Sequence, residues 1–418
     1  MKIRRFARIL AIVVIIAVAV SIYLQEKKAI KREDSYGYVQ SSVKSDEGKI
    51  RVVISAIGDV ALGQDSRFSY RDSFDHVFER SGGDYGYFFS NAREVLEQDD
   101  ITIANLECVL SNETEKAEKY DYGNNYWFNG RPEYVNILKA GSIEAVSLAN
   151  NHTYDYGQKG YDATCRALDD VGIKHFGYSR TAVSTVNGIN VGMAGFNQFG
   201  EYEQGRDTDE LKQEVGSVTR ELRERSDLVI VYFHWGKEYS YETDGLQTEL
   251  AHLAIDSGAD LVLGSHPHVL QPIEIYNDRY IVYSLGNFCF GGNKKPSDLD
   301  TAVYRQAFLF DQEGSLVSIQ VPEIIPFSAS SQRSVNDYRP TPAEGEAKDR
   351  ILTKLDYSPD MAALLELSVD KDEMVRLDEV AEDVIIDLKY ASSDNITGKP
   401  VYDSNTAWLR RGTANKLK

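Results

Sequence analysis

Two of the chain's seven histidines stand two positions apart in the stretch LGSHPH, residues 263–268. They follow an apolar run, 259–264, that predicts a buried strand. Imidazoles at positions i and i+2 beyond a strand end can converge on one point, and a metal ion is what most often needs two of them. A surface turn, in which Pro267 ends the strand, explains the same letters. His266 and His268 alone leave both interpretations open.

Side chains of similar chemistry end five further apolar runs. Because the carboxyl ends of strands in an α/β sheet open onto one crevice, such residues can meet although they are far apart in sequence. Carboxylate, amide and imidazole groups without thiolate favour Mn²⁺, Fe or Zn²⁺, and two ions about 3.5–4 Å apart can clamp a phosphoryl centre and activate water. The residues at the six strand ends are Asp59, Asn105, Glu107, Asn150, Asn151, His152, His234, Trp235, His266, His268 and Asn287.

Each of these residues, taken singly, has a structural explanation. Asp59 is compatible with a helix cap, Asn150 and Asn151 with a turn, and His234 with a hydrogen-bonded core histidine. Four of the seven histidines nevertheless fall at strand ends, which random placement would rarely produce. The set as a whole therefore predicts a shared site for one or two divalent metal ions.

Short apolar runs alternate with helical patterns from residue 50 onward, which predicts an α/β domain over 50–330. Several runs are almost wholly apolar, as in strands covered on both faces. The predicted strands lie within 50–58, 101–107, 143–151, 189–196, 227–236, 259–268 and 279–288, and predicted helices lie within 132–141, 160–172 and 246–258.

The formal charge of −19 over 418 residues argues against nucleic acid as a partner, because a phosphate backbone would be repelled. A polyanionic substrate would need local cations or a metal ion to hold it. Cys108, Cys165 and Cys289 are too few and too scattered for a disulfide framework. We expect them to be small apolar core residues.

Residues 1–24 predict a membrane anchor. Basic residues precede an uncharged run, 9–24, that spans about 24 Å as a helix, and flanking Arg and Lys side chains can reach the headgroups. This pattern favours a single-pass protein of the cell membrane whose main domain is extracytoplasmic. Basic residues after the run weaken that orientation, and a signal peptide cleaved near 17–19 is the alternative. The polar residues 25–49 predict a stalk.

The alternation of strands and helices ends near residue 330. Residues 331–375 include a polar, proline-containing stretch that predicts a linker, with room for a helix within 349–367. A last unit covers 376–418.

The motifs AIGDVALG, NLE, LANNHTYDYG, VYFHWGKEY, GSHPHVLQP and YSLGNF, in this order, resemble the CapA (PgsA) family of capsule and poly-γ-glutamate biosynthesis proteins. That family is itself similar to the calcineurin-like metallophosphoesterases. The resemblance implies a four-layer α/β/β/α metallophosphoesterase-like sandwich. We expect this fold between an N-terminal transmembrane helix and a short C-terminal appendage.

The resemblance also implies roles for the strand-end residues. His152 matches the histidine that protonates the leaving oxygen and is the implied catalytic residue. Asn105, Asn150, Trp235 and Asn287 are expected close to the substrate. The implied ligands are Asp59 and His268 for a first ion and Asn151, His234 and His266 for a second ion, with Glu107 bridging the two.

Two departures from the phosphoesterase pattern concern the first ion. That pattern usually has a histidine two residues after the first Asp, where this chain has Ala61, and a bridging Asp, where this chain has Glu107. The first position therefore loses a neutral ligand, and we expect one tight and one labile ion. Phosphoester hydrolysis does not follow from the resemblance alone.

The C-terminal stretch VIIDLKYASSDNITGKPVYDSNTAWLRRGTANKLK is similar to the opening of VanX-type D-alanyl-D-alanine dipeptidases. The zinc ligands and catalytic Glu of that family lie further downstream, and no histidine follows His268. We therefore expect no dipeptidase activity. A truncated fusion protein of peptidoglycan metabolism, a vestigial piece and a loosely docked tail remain as alternatives.

These features lead to two hypotheses. In the first, the protein is a membrane-anchored, metal-dependent hydrolase or transferase of capsule or poly-γ-glutamate production that acts beside a membrane synthase complex. In the second, it is a non-catalytic component that grips the carboxylates of an anionic envelope polymer through the metal site during export. Turnover distinguishes the two.

Overall fold

The computed structural model describes residues 48–119, 125–178, 180–200 and 206–357, and those from Lys49 onward belong to one compact unit. A 3₁₀-helix covers Pro132–Tyr134. The α-helices in these ranges are α1 (Phe74–Arg80), α2 (Arg93–Leu96), α3 (Val135–Ala140), α4 (Gly157–Val171), α5 (Thr208–Arg223), α6 (Gly245–Asp256) and α7 (Gly345–Lys354).

The strands are β1 (Ile50–Ala61), β2 (Ile101–Leu106), β3 (Val109–Leu110), β4 (Asn129–Gly130), β5 (Ala145–Ser147), β6 (Lys174–Phe176), β7 (Ala182–Val186), β8 (Ile189–Asn197), β9 (Leu228–His234), β10 (Leu261–Ser265), β11 (Leu270–Tyr276), β12 (Arg279–Leu285), β13 (Asn287–Phe290), β14 (Asp300–Phe310), β15 (Leu316–Ile319), β16 (Glu323–Ser328) and β17 (Thr341–Pro342). They form two large sheets and one ribbon. The nine-stranded sheet has the order β17-β16-β14-β1-β2-β5-β6, with β13 beside β1 and β15 beside β14. The six-stranded sheet has the order β11-β12-β10-β9-β8-β7, and β3 pairs with β4.

Three apolar clusters separate the layers of this unit. One cluster joins α1, α3 and α4 to the nine-stranded sheet and includes Leu168. The second lies between the sheets, where Ile54 and Ile230 are fully buried. The third joins α5 and α6 to the six-stranded sheet and includes Leu250. The layers therefore follow one another as α/β/β/α, and the predicted α/β class is confirmed.

A pair of glycines fixes the end of β1. The Asp59 N–H donates to the Gly286 carbonyl oxygen at 2.8 Å, and the register of β1 shifts between Asp59 and Val60. A Cβ atom on Gly58 would lie 1.9 Å from that carbonyl oxygen, so only glycine allows this approach. Gly286 has φ of 68°, a conformation that glycine adopts without strain.

The segment expected as a linker, 331–375, differs in its first part. Tyr338 and Leu355 are fully buried, and β17 and α7 both lie within 331–357. At least 331–357 therefore belong to the folded unit. The prediction was wrong for these residues because the sequence is mostly polar and contains prolines, and only a few apolar side chains in it pack against the core. The remaining residues, 358–418, which include the dipeptidase-like segment, lie outside the described residues.

Among the described residues, no helix has both the length and the apolar character needed to cross a membrane. The anchor predicted at 1–24 and the stalk as far as residue 47 lie outside the described residues.

Gly58→Ala should lower the free energy of unfolding by about 3 kcal/mol, because the added methyl group would overlap the Gly286 carbonyl and force the strands apart. Gly245→Ala is the matched control, since a Cβ there meets no atom within 4 Å, and we expect a change of less than about 1 kcal/mol. Chemical denaturation of the full-length chain measures both. Equal stability of the two variants would contradict the close approach.

Candidate metal centre

Strand ends from both sheets meet at one place. Asn105 on β2 lies opposite Asp59 on β1, and Ser265 on β10 lies opposite His234 on β9. Both strand pairs are parallel, so their carboxyl ends deliver these side chains to the same edge of each sheet. The structure brings the two edges together.

The first set of candidate ligands, here the histidine group, contains Glu107, His234 and His266 together with Asn151. His234 Nε2 lies 3.1 Å from His266 Nδ1, 2.9 Å from Asn151 Oδ1 and 3.8 Å from Glu107 Oε1. Two ligands that bind one ion at about 2.1 Å lie about 3.0–3.4 Å apart. These donor atoms are therefore spaced to share an ion.

The second set, here the carboxylate group, contains Asp59, Glu107 and His268, all buried. His268 Nδ1 lies 3.2 Å from Asp59 Oδ2, and His268 Nε2 lies 3.7 Å from Glu107 Oε1. Glu107 thus belongs to both groups, as the bridging ligand of a two-metal site must. The arrangement offers two adjoining ion positions.

The Glu107 Oε1 atom tests whether a cation fits. It is buried and has no hydrogen-bond partner among the described residues. The Nε2 atoms of His152, His234 and His268 lie 3.9, 3.8 and 3.7 Å away, too far for hydrogen bonds. An unsatisfied buried oxygen costs about 1–3 kcal/mol, and more when it is charged. A divalent ion between the carboxylate and the imidazoles would remove that cost, so the residues present fit a metal.

The His-Pro-His stretch is buried, which contradicts the surface-turn interpretation. His266 is 6% exposed and His268 is 9% exposed. Both adopt left-handed backbone, with φ of 95° and 56°, at a cost of about 1–3 kcal/mol each. This turn directs one imidazole to the histidine group and the other to the carboxylate group.

Burial and charge divide the imidazoles into two kinds. Burial, and then the neighbouring imidazoles, hold the pKa values of His234 and His266 well below their ordinary value, so both are neutral and able to bind a metal. Burial also lowers the pKa of His268, but Glu107 and Asp59 outweigh it and raise that pKa to about 10. Burial raises the pKa of Glu107 well above its ordinary value. Without a cation, the set formed by Asp59, Glu107 and His268 therefore keeps a proton near neutral pH.

Asn105 and Asn150, expected close to the substrate, lie behind the ligands instead. Asn105 Nδ2 donates to Asp59 Oδ1 at 2.9 Å, and Asn150 Nδ2 donates to Asn105 Oδ1 at 3.0 Å. Asn150 Oδ1 accepts the His152 N–H at 3.1 Å. Both amides are buried and neither lines the open pocket; they hold the Asp59 carboxylate and the His152 backbone in place.

Trp235 lies away from the site, contrary to expectation. Its fully buried ring stacks on Phe233 at 4.3 Å, and its Nε1–H donates to the Tyr283 carbonyl oxygen at 2.9 Å. Successive side chains alternate between the faces of a strand, so a residue next to His234 points into the apolar cluster. Asn287 does lie at the pocket, and its Oδ1 is 2.9 Å from His268 Nδ1.

A pocket of about 610 Å³ opens beside the ligands and has His152 and His268 in its wall. His152 Nδ1 lies 2.8 Å from Asp155 Oδ2, and the Phe128 ring packs on the imidazole at 4.3 Å. An ionised carboxylate only accepts, so His152 Nδ1 donates its proton there. The other ring nitrogen, Nε2, is the one on the Glu107 side.

Sequence reasoning missed three residues of this region. Asp155 holds His152, Lys119 forms a buried ion pair with Asp155 at 2.6 Å, and Glu238 lines the pocket. Asp155 and Glu238 stand inside LANNHTYDYG and VYFHWGKEY, so their proximity to the histidines was the available signal. No sequence pattern indicated Lys119, because only the folding of its loop brings its side chain to Asp155.

Two buried ligand groups that share one acid, at the strand ends of paired sheets, define an α/β protein with a candidate two-metal centre. The chain belongs to the family described as "Bacterial capsule synthesis protein PGA_cap", which matches residues 53–292. The family predicted from the motifs is confirmed.

The chain is similar to capsule biosynthesis protein CapA of Bacillus anthracis, with 28% identity over 305 residues that cover 69% of this chain and 68% of that protein. It is 29% identical to PGA biosynthesis protein CapA of Bacillus subtilis (strain 168) over 256 residues, which cover 56% of this chain and 62% of that protein. The match thus spans about two thirds or less of these relatives. A solved structure of a novel phosphatase from Mycoplasma pneumoniae has a TM-score of 0.37 and 13% identity, covering 66% of this chain and 94% of that one. A likeness this distant carries no functional information.

Metal binding to the carboxylate group should release a proton, because His268 must be neutral to coordinate while its pKa of about 10 keeps it protonated at neutral pH. The apparent affinity should therefore rise with pH, by up to about tenfold per unit between about pH 6 and 9. Calorimetric titration of Zn²⁺ at pH 7 in two buffers of different ionisation enthalpy should count about one proton per ion.

His268→Gln should lower the proton count, because it removes the share that His268 releases and leaves only the proton that Glu107, whose pKa is raised by burial, still gives up. His252→Gln is the control, because His252 lies on α6 and pairs with Glu274 at 2.8 Å. A Zn²⁺ affinity that does not change with pH would contradict the presence of a proton on the set formed by Asp59, Glu107 and His268.

Proposed function

We propose that the protein is a metal-dependent hydrolase or transferase in the production of a cell-envelope polymer such as poly-γ-glutamate. The observation that carries the proposal is that Glu107 is shared by two buried ligand groups beside an open pocket that contains His152. The polymer class comes from the names of the relatives, which refer to capsule and PGA biosynthesis.

The two groups would hold one or two divalent ions, Mn²⁺, Fe or Zn²⁺. Such ions, when bound, supply Lewis acidity and a water or hydroxyl nucleophile at neutral pH. The histidine group has the neutral imidazoles and the larger donor set, so it is the tighter position. Asn105 would keep the Asp59 carboxylate in place, and Asn150 would keep the loop that carries His152 in place.

His152 is the proposed acid that protonates the leaving atom. Asp155 accepts its Nδ1 proton and fixes the ring, and Lys119, whose side chain is 1% exposed, fixes Asp155 in turn. Phe128 covers one face of the imidazole and excludes water from it. A general acid placed in this way contributes about 10²–10⁴-fold to a rate.

The proposal includes a place in the cell. The basic and apolar residues 1–24 support an anchor in the cytoplasmic membrane with the main domain outside, beside a membrane synthase complex. The net charge of −19 opposes a polyanionic substrate, so bound cations together with Lys294 and Lys295, which line the pocket, must attract it locally.

A non-catalytic role has one observation in its favour. Ala61 is fully buried and offers no ligand, so the carboxylate group has only three candidate ligands among the described residues. A labile ion held there could grip and release the carboxylates of a passing polymer without any bond being broken. In that case polymer binding saturates, while no phosphoester, ester or amide probe is turned over.

His266→Ala should remove about one ion per chain and abolish turnover, because it deletes a ligand of the tighter position. His152→Ala should keep the metal and lower turnover by about 10²–10⁴-fold. Elemental analysis of the full-length chain gives the metal content, and phosphoester, ester, amide and poly-γ-glutamate probes give turnover.

His252→Ala serves as the control and should change neither quantity. A correctly folded wild-type protein that binds no Mn²⁺ or Zn²⁺ would refute the metal-dependent assignment.

A further inference from the structure

The mouth of the pocket combines aromatic rings with charges of both signs. Aromatic rings beside an acid bind ammonium groups through cation–π attraction and an ion pair, and lysine binds carboxylates as a point charge. The wall therefore offers partners for a ligand that carries both groups. The residues concerned are Phe68, Tyr126, Phe128, Tyr239, Phe290, Glu238, Lys294 and Lys295.

Two of the rings are open to solvent. Tyr126 is 43% exposed and Tyr239 is 52% exposed. Tyr126 stacks on Phe128 with 6.0 Å between ring centroids, and Tyr239 lies 6.3 Å from the His268 ring. The Arg67 guanidinium already lies 5.5 Å from the Tyr126 centroid, so Tyr126 has a cation of the protein as its partner and Tyr239 is the exposed ring left for a ligand. Large exposed rings at a pocket mouth indicate contact with a ligand.

Glu238 brings a carboxylate that makes no hydrogen bond or ion pair with a side chain of the described ranges. Its side chain lines the pocket. The next residue, Tyr239, has φ of 60°, and its N–H donates to the Pro267 carbonyl oxygen at 2.8 Å. This conformation and this hydrogen bond fix the position of the loop that carries Glu238.

The two lysines differ in availability. Lys294 Nζ is held by the carbonyl oxygens of Ser69 and Arg71 at 3.1 and 3.2 Å. Lys295 Nζ has no hydrogen-bond or ion-pair partner within the part of the chain that the structure describes. Lys295 follows β13 and Glu238 follows β9, so the two opposite charges reach the pocket from separate segments.

We propose that this pocket binds the amino-terminal end of an acidic amino-acid chain, with the terminal ammonium group at Glu238 and Tyr239 and a carboxylate at Lys295. The inference rests on the proposed function and deepens it, because it places the end of the polymer beside His152.

Glu238 discriminates against the middle of such a polymer. The charged groups of an internal stretch are all carboxylates. A carboxylate placed beside Glu238 has the same charge, and the repulsion weakens binding. The net charge of −19 adds to that repulsion. A chain end brings one positive group, which turns Glu238 from a repulsive neighbour into a partner.

The test compares γ-linked triglutamate that has a free amino terminus with the same peptide after N-acetylation, titrated calorimetrically into the Mn²⁺-loaded full-length protein. Acetylation should weaken binding about tenfold or more, because it removes the ammonium charge. Glu238→Gln should weaken binding of the free peptide about tenfold and abolish the difference between the two peptides. Lys295→Gln should weaken both peptides alike.

Glu242→Gln is the matched control, since Glu242 is an exposed acid of the same loop outside the pocket wall, and it should bind as the wild type does. Metal content and thermal unfolding of each variant separate lost binding from lost folding.

Equal affinity of the two peptides for the wild type, or a preference that survives Glu238→Gln, would overturn the inference. Free glutamate that binds as tightly as the triglutamate would overturn the assignment to a chain. A protein that shows the preference but no metal-dependent turnover supports this inference and counts against the catalytic proposal, so the two fail separately.

Discussion

The Glu107 carboxylate is the constraint on which the rest of the structure depends. It is a buried acid at the end of a strand of the nine-stranded sheet, with one oxygen unpaired among the described residues. Strands of the six-stranded sheet supply three of the imidazoles around it, those of His234, His266 and His268. A charge in such a place is tolerated only when opposite charge or ligands compensate it. The two sheets therefore pack so that their strand ends lie side by side, in addition to burying their apolar faces.

Local features of the backbone and a few hydrogen bonds hold the strand ends in this arrangement. Gly58 and Gly286 let two strands approach until Asp59 is fixed by its own N–H. The Asn105 and Asn150 amides tie the carboxylates to the loop that carries His152. The left-handed conformations at His266 and His268 are unfavourable by themselves. The large apolar clusters on either side of the six-stranded sheet supply the stability that offsets them.

The sequence predicted the convergence well because its signal was simple. Apolar runs mark strands, and histidines are so few that their placement at strand ends stands out. The directions of side chains were harder to predict. Trp235 follows His234 and faces the opposite way, which the period-two alternation of a strand implies, whereas the inward roles of Asn105 and Asn150 depend on hydrogen bonds that no pattern displays. Glu238 stands in the same motif as His234, but its place at the pocket depends on a loop in which Tyr239 is left-handed, and tyrosine gives no sequence signal for that conformation.

The long strand β14 lies wholly beyond residue 292, where the match to the family ends, yet it pairs with β1 along seven residues from Ile50 to Ala56. The family match and the folded unit therefore have different boundaries in this chain. A fragment that ended at residue 292 would leave one side of a central strand bare, with its amide and carbonyl groups free to recruit a strand from a neighbouring molecule.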